Sequence, residues 1–279
     1  MGVLQRSYQI FLESWGVLVK DKELLLFPVL SGIFSILAFA GMVAGGLATG
    51  LFAALAGQGP ESFPRWVGGV YAFVWYFVTF LIATSFNVAV LACARIRFDG
   101  GDPTTADGFA AIRKHFGAIA LWALISATVG ILLDMVKERF AVVGSILKGV
   151  LGAAWSIATF FVVPVMIFEG AGLGASTKRS VQLVKKSWGE ALGVTAGVGL
   201  FTFLLAIPGL LLPIVLAVTL GGTAALIGLG VAVLYWIALG VVSSALSGIF
   251  RAALYLYATK GETPSGYSGA LVQGAFRTA

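Results

Sequence analysis

The chain has 279 residues, of which 59% are hydrophobic and only 11% charged, with a mean hydropathy of +1.00 and a formal net charge of +6. A soluble domain usually carries about 25% charged residues, so water is not the main solvent, and there is no soluble domain on which the positive charge would meet nucleic acid. The apolar runs lack the dyad alternation of a membrane barrel, and a helix satisfies its own backbone, which leaves an all-α, polytopic membrane protein.

The first 23 residues do not read as a cleavable signal, because Glu13, Asp21 and Glu23 interrupt them and the long apolar run starts at Leu24. "MGVLQR" places Arg6 where a myristoylation motif needs Ser or Thr. What stands there is "RSYQIFLESWG", residues 6–16, in which Tyr8, Phe11 and Trp15 fall on one narrow stripe of a helix.

Six spans follow, at about 24–48, 67–93, 117–133, 149–168, 191–213 and 230–257, most of them beyond the roughly 18 apolar residues that cross a bilayer. The first and sixth exceed what a bilayer requires, and Gly45-Gly46 and the "GGT" at 221–223 are expected to break them. Trp66 fits an outer aromatic belt. Pro208 and Pro213 are expected to kink the fifth span. Cys93 is the single cysteine and lies in an apolar run, so no intramolecular disulfide is available.

Between the second and third spans, "DGFAAIRKHFG" repeats the stripe in outline with Phe109, Ile112 and Phe116. Between the fourth and fifth, "RSVQLVKKSWG", residues 179–189, repeats it closely: Arg, Ser, Gln, Ser, Trp and Gly recur at the same positions as in 6–16. Val181, Val184 and Trp188 form the stripe, with Lys178, Arg179, Lys185 and Lys186 around the back. A glycine follows each anchor, Gly16, Gly117 and Gly189, and is expected to let the chain turn into the next span.

The chain therefore reads as a single membrane domain, 1–279, of three parallel units at about 1–95, 103–169 and 173–258, each an interfacial elbow helix followed by a two-helix hairpin, with a tail at 259–279. Convergent use of aromatic and basic residues by interfacial helices is the alternative explanation of the likeness. Of the 18 Lys and Arg, all but Arg65, Lys137, Arg139 and Lys148 fall in the two termini and the second and fourth connections. Positive charge is retained inside, so both termini are expected to be cytoplasmic, in a multi-pass inner (plasma) membrane protein.

The elbows offer a lipid interface: Trp15, Phe116 and Trp188 at the acyl boundary, and Arg113, Lys114, Lys178, Arg179, Lys185 and Lys186 among phosphates of an anionic cytoplasmic leaflet. "DGGDPTTAD" holds Asp99, Asp102 and Asp107, which a hard cation would accept. Asp102 as a helix N-cap, with Pro103 first in the helix, is the better reading, so no metal is assigned. His115 lacks a nucleophile or carboxylate at helical spacing, and no phosphate loop or nucleophile elbow occurs, so an enzyme is disfavoured and no cofactor is implied. Within the spans, Asn87 near Thr84 and Ser85 suits either a helix contact or a solute path. Arg95, Glu169 and Arg251 end the second, fourth and sixth spans, where they would form an inter-repeat ion cluster, or the arginines would snorkel to headgroups. Gly41 and Gly45, and Gly46 and Gly50, give small-residue spacing for helix packing.

"SWGVLVKDKELLLFPVLSG" and "VVPVMIFEGAGLGASTKRSVQLVKKSWGEAL" resemble signatures of bacterial and archaeal multi-pass membrane proteins of unknown function. Those are similar in turn to the membrane domain that accompanies some glycerophosphoryl diester phosphodiesterases. The resemblance implies a six-span fold with cytoplasmic elbows. It does not carry the phosphodiesterase activity, whose soluble barrel and catalytic carboxylates are absent from these residues. The function expected is a non-enzymatic scaffold or partner subunit engaging anionic lipid, with homo-oligomeric or membrane-protein contacts. The alternative is a transporter or channel for a small solute or lipid, with a path between the hairpins past Asn87.

Overall fold

The computed structural model describes residues 3–55, 66–186, 188–261 and 264–267. Among the described residues every regular element is a helix. Six helical stretches are long and apolar enough to cross a membrane: Lys22–Ala48, Trp66–Phe98, Thr105–Arg139, Val143–Phe168, Thr202–Leu220 and Gly222–Lys260.

In chain order, α1 (Val3–Lys20) leads through a 3-10 turn (Lys22–Leu25) into α2 (Leu26–Ala48) and the short α3 (Leu51–Leu55). Then come α4 (Trp66–Phe98), α5 (Thr105–Arg139), α6 (Ala141–Ala158), α7 (Val162–Phe168), α8 (Leu173–Lys186), α9 (Trp188–Leu220) and α10 (Gly222–Lys260). The residues group into two compact units, one of 1–28, 90–105 and 183–279, the other of 29–89 and 106–182.

In the first unit α9 runs along α10, and α1 lies against both. Val17, Leu18, Leu24 and Phe27 are buried here, as are Ile249, Phe250, Tyr255 and Leu256 of α10. Pro208 and Pro213 both sit inside an uninterrupted α9. Pro208 cannot donate to the carbonyl of Leu204, and in the same turn α10 donates to two neighbouring carbonyls: Tyr235 gives its hydroxyl to that of Leu205, and Trp236 its indole N–H to that of Ala206 at 3.1 Å. Gly209 makes room, since a Cβ there would lie 2.6 Å from the Trp236 indole nitrogen. The expected break at 221–223 is present at Gly221, whose φ of 88° is costly for other residues.

In the second unit α2 packs on α4 through Phe39 against Trp75, ring centres 5.6 Å apart, and Phe34 against Phe86 at 5.7 Å. Tyr71 donates to the carbonyl of Met42. Gly130 of α5 receives the Tyr76 ring, 3.2 Å from where a Cβ would stand, and Trp122 stacks on Trp155 at 5.8 Å. α2 does not break at Gly45-Gly46: it continues to Ala48 and stops at Gly50, with φ of 70°. Neither of the earlier glycines adopts a positive φ, so the helical ladder runs through them.

The fourth span is broken. α6 ends at Ala158 and α7 begins at Val162, with Pro164 unable to donate back to the carbonyl of Phe160. Thr159 returns its hydroxyl to the Trp155 carbonyl at 2.7 Å. Every side chain from Phe161 to Met166 is buried, so the backbone groups freed by the break have to find protein partners.

Candidate functional site

The partner at that break is Ser180 of α8. Its hydroxyl donates to the carbonyl of Ala158 at 2.7 Å and accepts the N–H of Phe161 at 3.0 Å, with no exposure of the serine to solvent. Ser176, one turn earlier and equally buried, donates to the carbonyl of Ala171 at 3.0 Å. Ser176, Ser180, Leu183 and Val184 thus make the buried stripe of α8, while Lys178, Arg179, Gln182 and Lys185 are exposed. Of the expected stripe, Val184 is buried and Val181 half-buried, with Lys178, Arg179 and Lys185 exposed around the back; the side chains of Trp188 and Lys186 lie outside the described residues. The two serines can share this face because each buried hydroxyl has a backbone partner.

On α1 the positions of the phrase described in both helices agree, Leu12 being exposed like Lys185 and Phe11 half-buried where Val184 is buried. α1 buries Ser14, Val17 and Leu18, and exposes Leu12, Trp15 and Val19 together with Lys20. Trp15 stacks on Phe11, ring centres 6.3 Å apart. On α5, Phe109, Arg113, Lys114 and Phe116 are all exposed, so two cations stand among two aromatics, with His115 half-buried beside them.

The glycine turns expected after each anchor are not where the chain bends. α1 runs through Gly16 to Lys20, α5 runs through Gly117 without interruption, and Gly189 is the second residue of α9. The bend after α1 is made at Asp21 instead. Its carboxylate is 5% exposed and grips Arg97 of α4 through both oxygens, and Arg97 also holds Asp102. A buried carboxylate demands such a partner. Asp102 is therefore not an N-cap: α5 begins at Thr105, whose N–H is taken by the Glu23 carboxylate at 3.1 Å.

The same end of α4 is covered by the chain at 264–267. Ser265 donates to the carbonyls of Arg97 and Phe98 at 3.2 and 3.1 Å, and the Tyr267 ring meets Phe98 edge-on at 5.9 Å. The Tyr267 hydroxyl shares a 2.6 Å hydrogen bond with Ser14. Burial pushes the Tyr267 phenol well above its ordinary range, with the charge of Glu13 adding to the rise and the Ser14 bond opposing it. The remainder of the expected tail, 262–263 and 268–279, lies outside the described residues.

Two of the residues expected to form an ion cluster have described partners. Arg95 pairs with Asp99 at 2.7 Å, one helical turn on, and Glu169 with Arg179 of α8 at 3.4 Å. Arg251 sits on α10 with its Nε buried. Asp99 and Asp102 are thereby each engaged by an arginine, and Asp107 lies in the first turn of α5. Asn87 keeps a buried Oδ1 without a hydrogen-bond partner, in a unit that also buries the polar Thr84 and Ser126.

One charged group escaped the sequence reading. Asp134 of α5 accepts hydrogen bonds from Lys148 of α6 and from the Tyr76 hydroxyl of α4. Its signal was present as a lone carboxylate at the end of an apolar run, but the third span was ended one residue short of it. Cys93 is likewise engaged, its thiol 3.6 Å from the carbonyl of Thr104.

A family of unknown function (DUF6159) matches residues 67–266, more than two thirds of the chain. The chain belongs to this family. Comparison with curated proteins and with solved structures finds no match. The stretch shared with the DUF6159 family includes Asn87, the broken fourth span and the whole of α8; α1 with Trp15 precedes it.

Proposed function

We propose that the protein is a non-enzymatic integral membrane protein of the inner (plasma) membrane, which binds anionic phospholipid at its headgroup layer and acts as a scaffold or partner subunit. It works as a homo-oligomer or beside another membrane protein. The observation that carries this reading is the exposed surface of three helices: Leu12, Trp15 and Val19 on α1, Phe109, Arg113, Lys114 and Phe116 on α5, Lys178, Arg179 and Lys185 on α8. Apolar groups beside cations suit the boundary between acyl chains and phosphates, where each Lys or Arg adds about 1 kcal/mol against an anionic leaflet. In this reading these helices and both termini are cytoplasmic, which the bias of Lys and Arg supports. In the same reading the three helices open three parallel units, each followed by two spans.

The test compares melting of the purified chain with added phosphatidylglycerol and with added phosphatidylcholine. Phosphatidylglycerol is expected to raise the midpoint, and the combined Arg113→Ala, Lys114→Ala, Lys178→Ala and Lys185→Ala variant to lose that gain. Equal midpoints in the two lipids would contradict the reading.

A second reading, transport of a small solute or lipid, is favoured by two observations: the break in the fourth span, and the buried Asn87 Oδ1 that no group among the described residues satisfies. Broken helices and polar groups inside spans are what substrate paths use. Glu169, at the end of α7, would then stand at the gate. Solute uptake into proteoliposomes that Asn87→Leu abolishes would select this reading; uptake no greater than in empty vesicles would remove it.

A further inference from the structure

We propose that the exposed face of α8 is a binding site for the phosphate of an anionic lipid headgroup, and that its occupancy holds Ser180 in the break of the fourth span. The lipid composition of the leaflet would then set how firmly that span is closed. The inference rests on the lipid engagement proposed above and adds what that engagement does.

α8 has two faces with separate tasks. Lys178, Gln182 and Lys185 follow one another at spacings of four and three, which makes a single exposed stripe of two ammonium groups and an amide donor. Ser180 lies two residues from Lys178, about 200° round the helix, and points the other way, into protein. A phosphate held by the outer stripe therefore does not compete with the serine. It fixes a stiff helix from behind.

The inner face has something to lose. The N–H of Phe161 and the carbonyl of Ala158 have Ser180 as their partner, in surroundings where Phe161, Val162 and Pro164 are fully buried. If α8 lifts, both backbone groups are stranded away from water, and the break has to open or refold. The Glu169–Arg179 pair at 3.4 Å joins the end of α7 to the same helix, so α7 follows α8 at two points. Charge complementarity names the occupant: exposed cations, in a chain of net charge +6, beside an anionic leaflet.

The test reads amide exchange at Phe161 in the full chain, in nanodiscs of phosphatidylcholine and of phosphatidylcholine with phosphatidylglycerol. Phosphatidylglycerol is expected to slow exchange about fivefold, the factor that one cation–phosphate contact supplies. Lys178→Ala with Lys185→Ala, changed on the exposed face where folding is not at risk, should exchange at the phosphatidylcholine rate in both discs. Ser180→Ala should exchange fast in both. Equal exchange of the unaltered chain in the two lipids overturns the proposal, as does a lipid response that survives in either variant. Inorganic phosphate added to phosphatidylcholine discs should change nothing; if it slows exchange equally, the headgroup assignment is overturned. Phosphatidylglycerol that raises the melting midpoint while leaving Phe161 unmoved overturns this inference alone, whereas loss of both effects overturns lipid engagement itself.

Discussion

α1 and α8 are written with the same phrase and do different work. α1 turns Leu12, Trp15 and Val19 outward and buries Ser14, whose hydroxyl meets Tyr267. α8 turns Lys178, Arg179, Gln182 and Lys185 outward and buries Ser180, whose hydroxyl mends a broken helix. Each helix thus leaves part of an amphipathic pattern exposed and gives the protein a serine, Ser14 from the end of the phrase and Ser180 from its start. Residues seven apart share a helix face, so the two serines lie on the same side of the phrase, and the comparison teaches that the phrase fixes which face is turned in while the neighbours decide what the buried serine bonds.

Breaking the end of α1 should have the largest effect. Arg97→Ala would leave the buried Asp21 carboxylate without its cation, and breaking a buried pair in this way costs about 3–5 kcal/mol; the loss is expected as a strong fall in yield and melting midpoint. Asp21→Asn with Arg97→Ala should recover part of it, since the buried charge is then gone. On α8, Ser180→Ala removes one side chain but strands two backbone groups, at about 1–3 kcal/mol for a buried group left unsatisfied. The melting midpoint should fall accordingly, with the loss concentrated around 158–162 in amide exchange.

A smaller effect separates Ser14 from Ser180. Tyr267 stays protonated in the folded chain at a pH where an exposed tyrosine ionises, because burial raises its pKa. Its contribution is whole below the ordinary tyrosine value of about 10 and is lost as the pH rises above it. Tyr267→Phe should cost about 0.5–1.5 kcal/mol at neutral pH, and the gap to the unaltered chain should narrow in melts above about pH 10. The smallest effect is expected from Trp15→Ser, which removes an exposed ring: melting in detergent should shift little, while retention by phosphatidylglycerol-containing bilayers falls. A large detergent shift would place Trp15 in the protein's packing and break the comparison with α8.

The spans were legible because an apolar run is a local property. The apolar run marks the ends of the second and third helices too early: Arg95, Arg97 and Asp134 all lie within helices that continue past it, and each pairs there. Gly16 and Gly117 were read as turns because glycine permits a bend, but permission does not compel one, and both stay helical where the ladder is unbroken. Asp102 carried a capping signature and lost that place to Glu23, 82 residues away from Thr105, because Arg97 drew the nearer carboxylate off. Ser180 was noticed only as an identity between two phrases. Its bonds to Ala158 and Phe161 depend on a break that Pro164 signals weakly and that only packing locates.

The central claim, that these helices engage anionic lipid, is tested most directly by native mass spectrometry of the chain released from mixed phosphatidylglycerol and phosphatidylcholine. The account predicts retained phosphatidylglycerol in preference to phosphatidylcholine, and loss of that preference when Arg113, Lys114, Lys178 and Lys185 are all changed to alanine. An unchanged lipid distribution in the fourfold variant, or no preference in the unaltered chain, would contradict it.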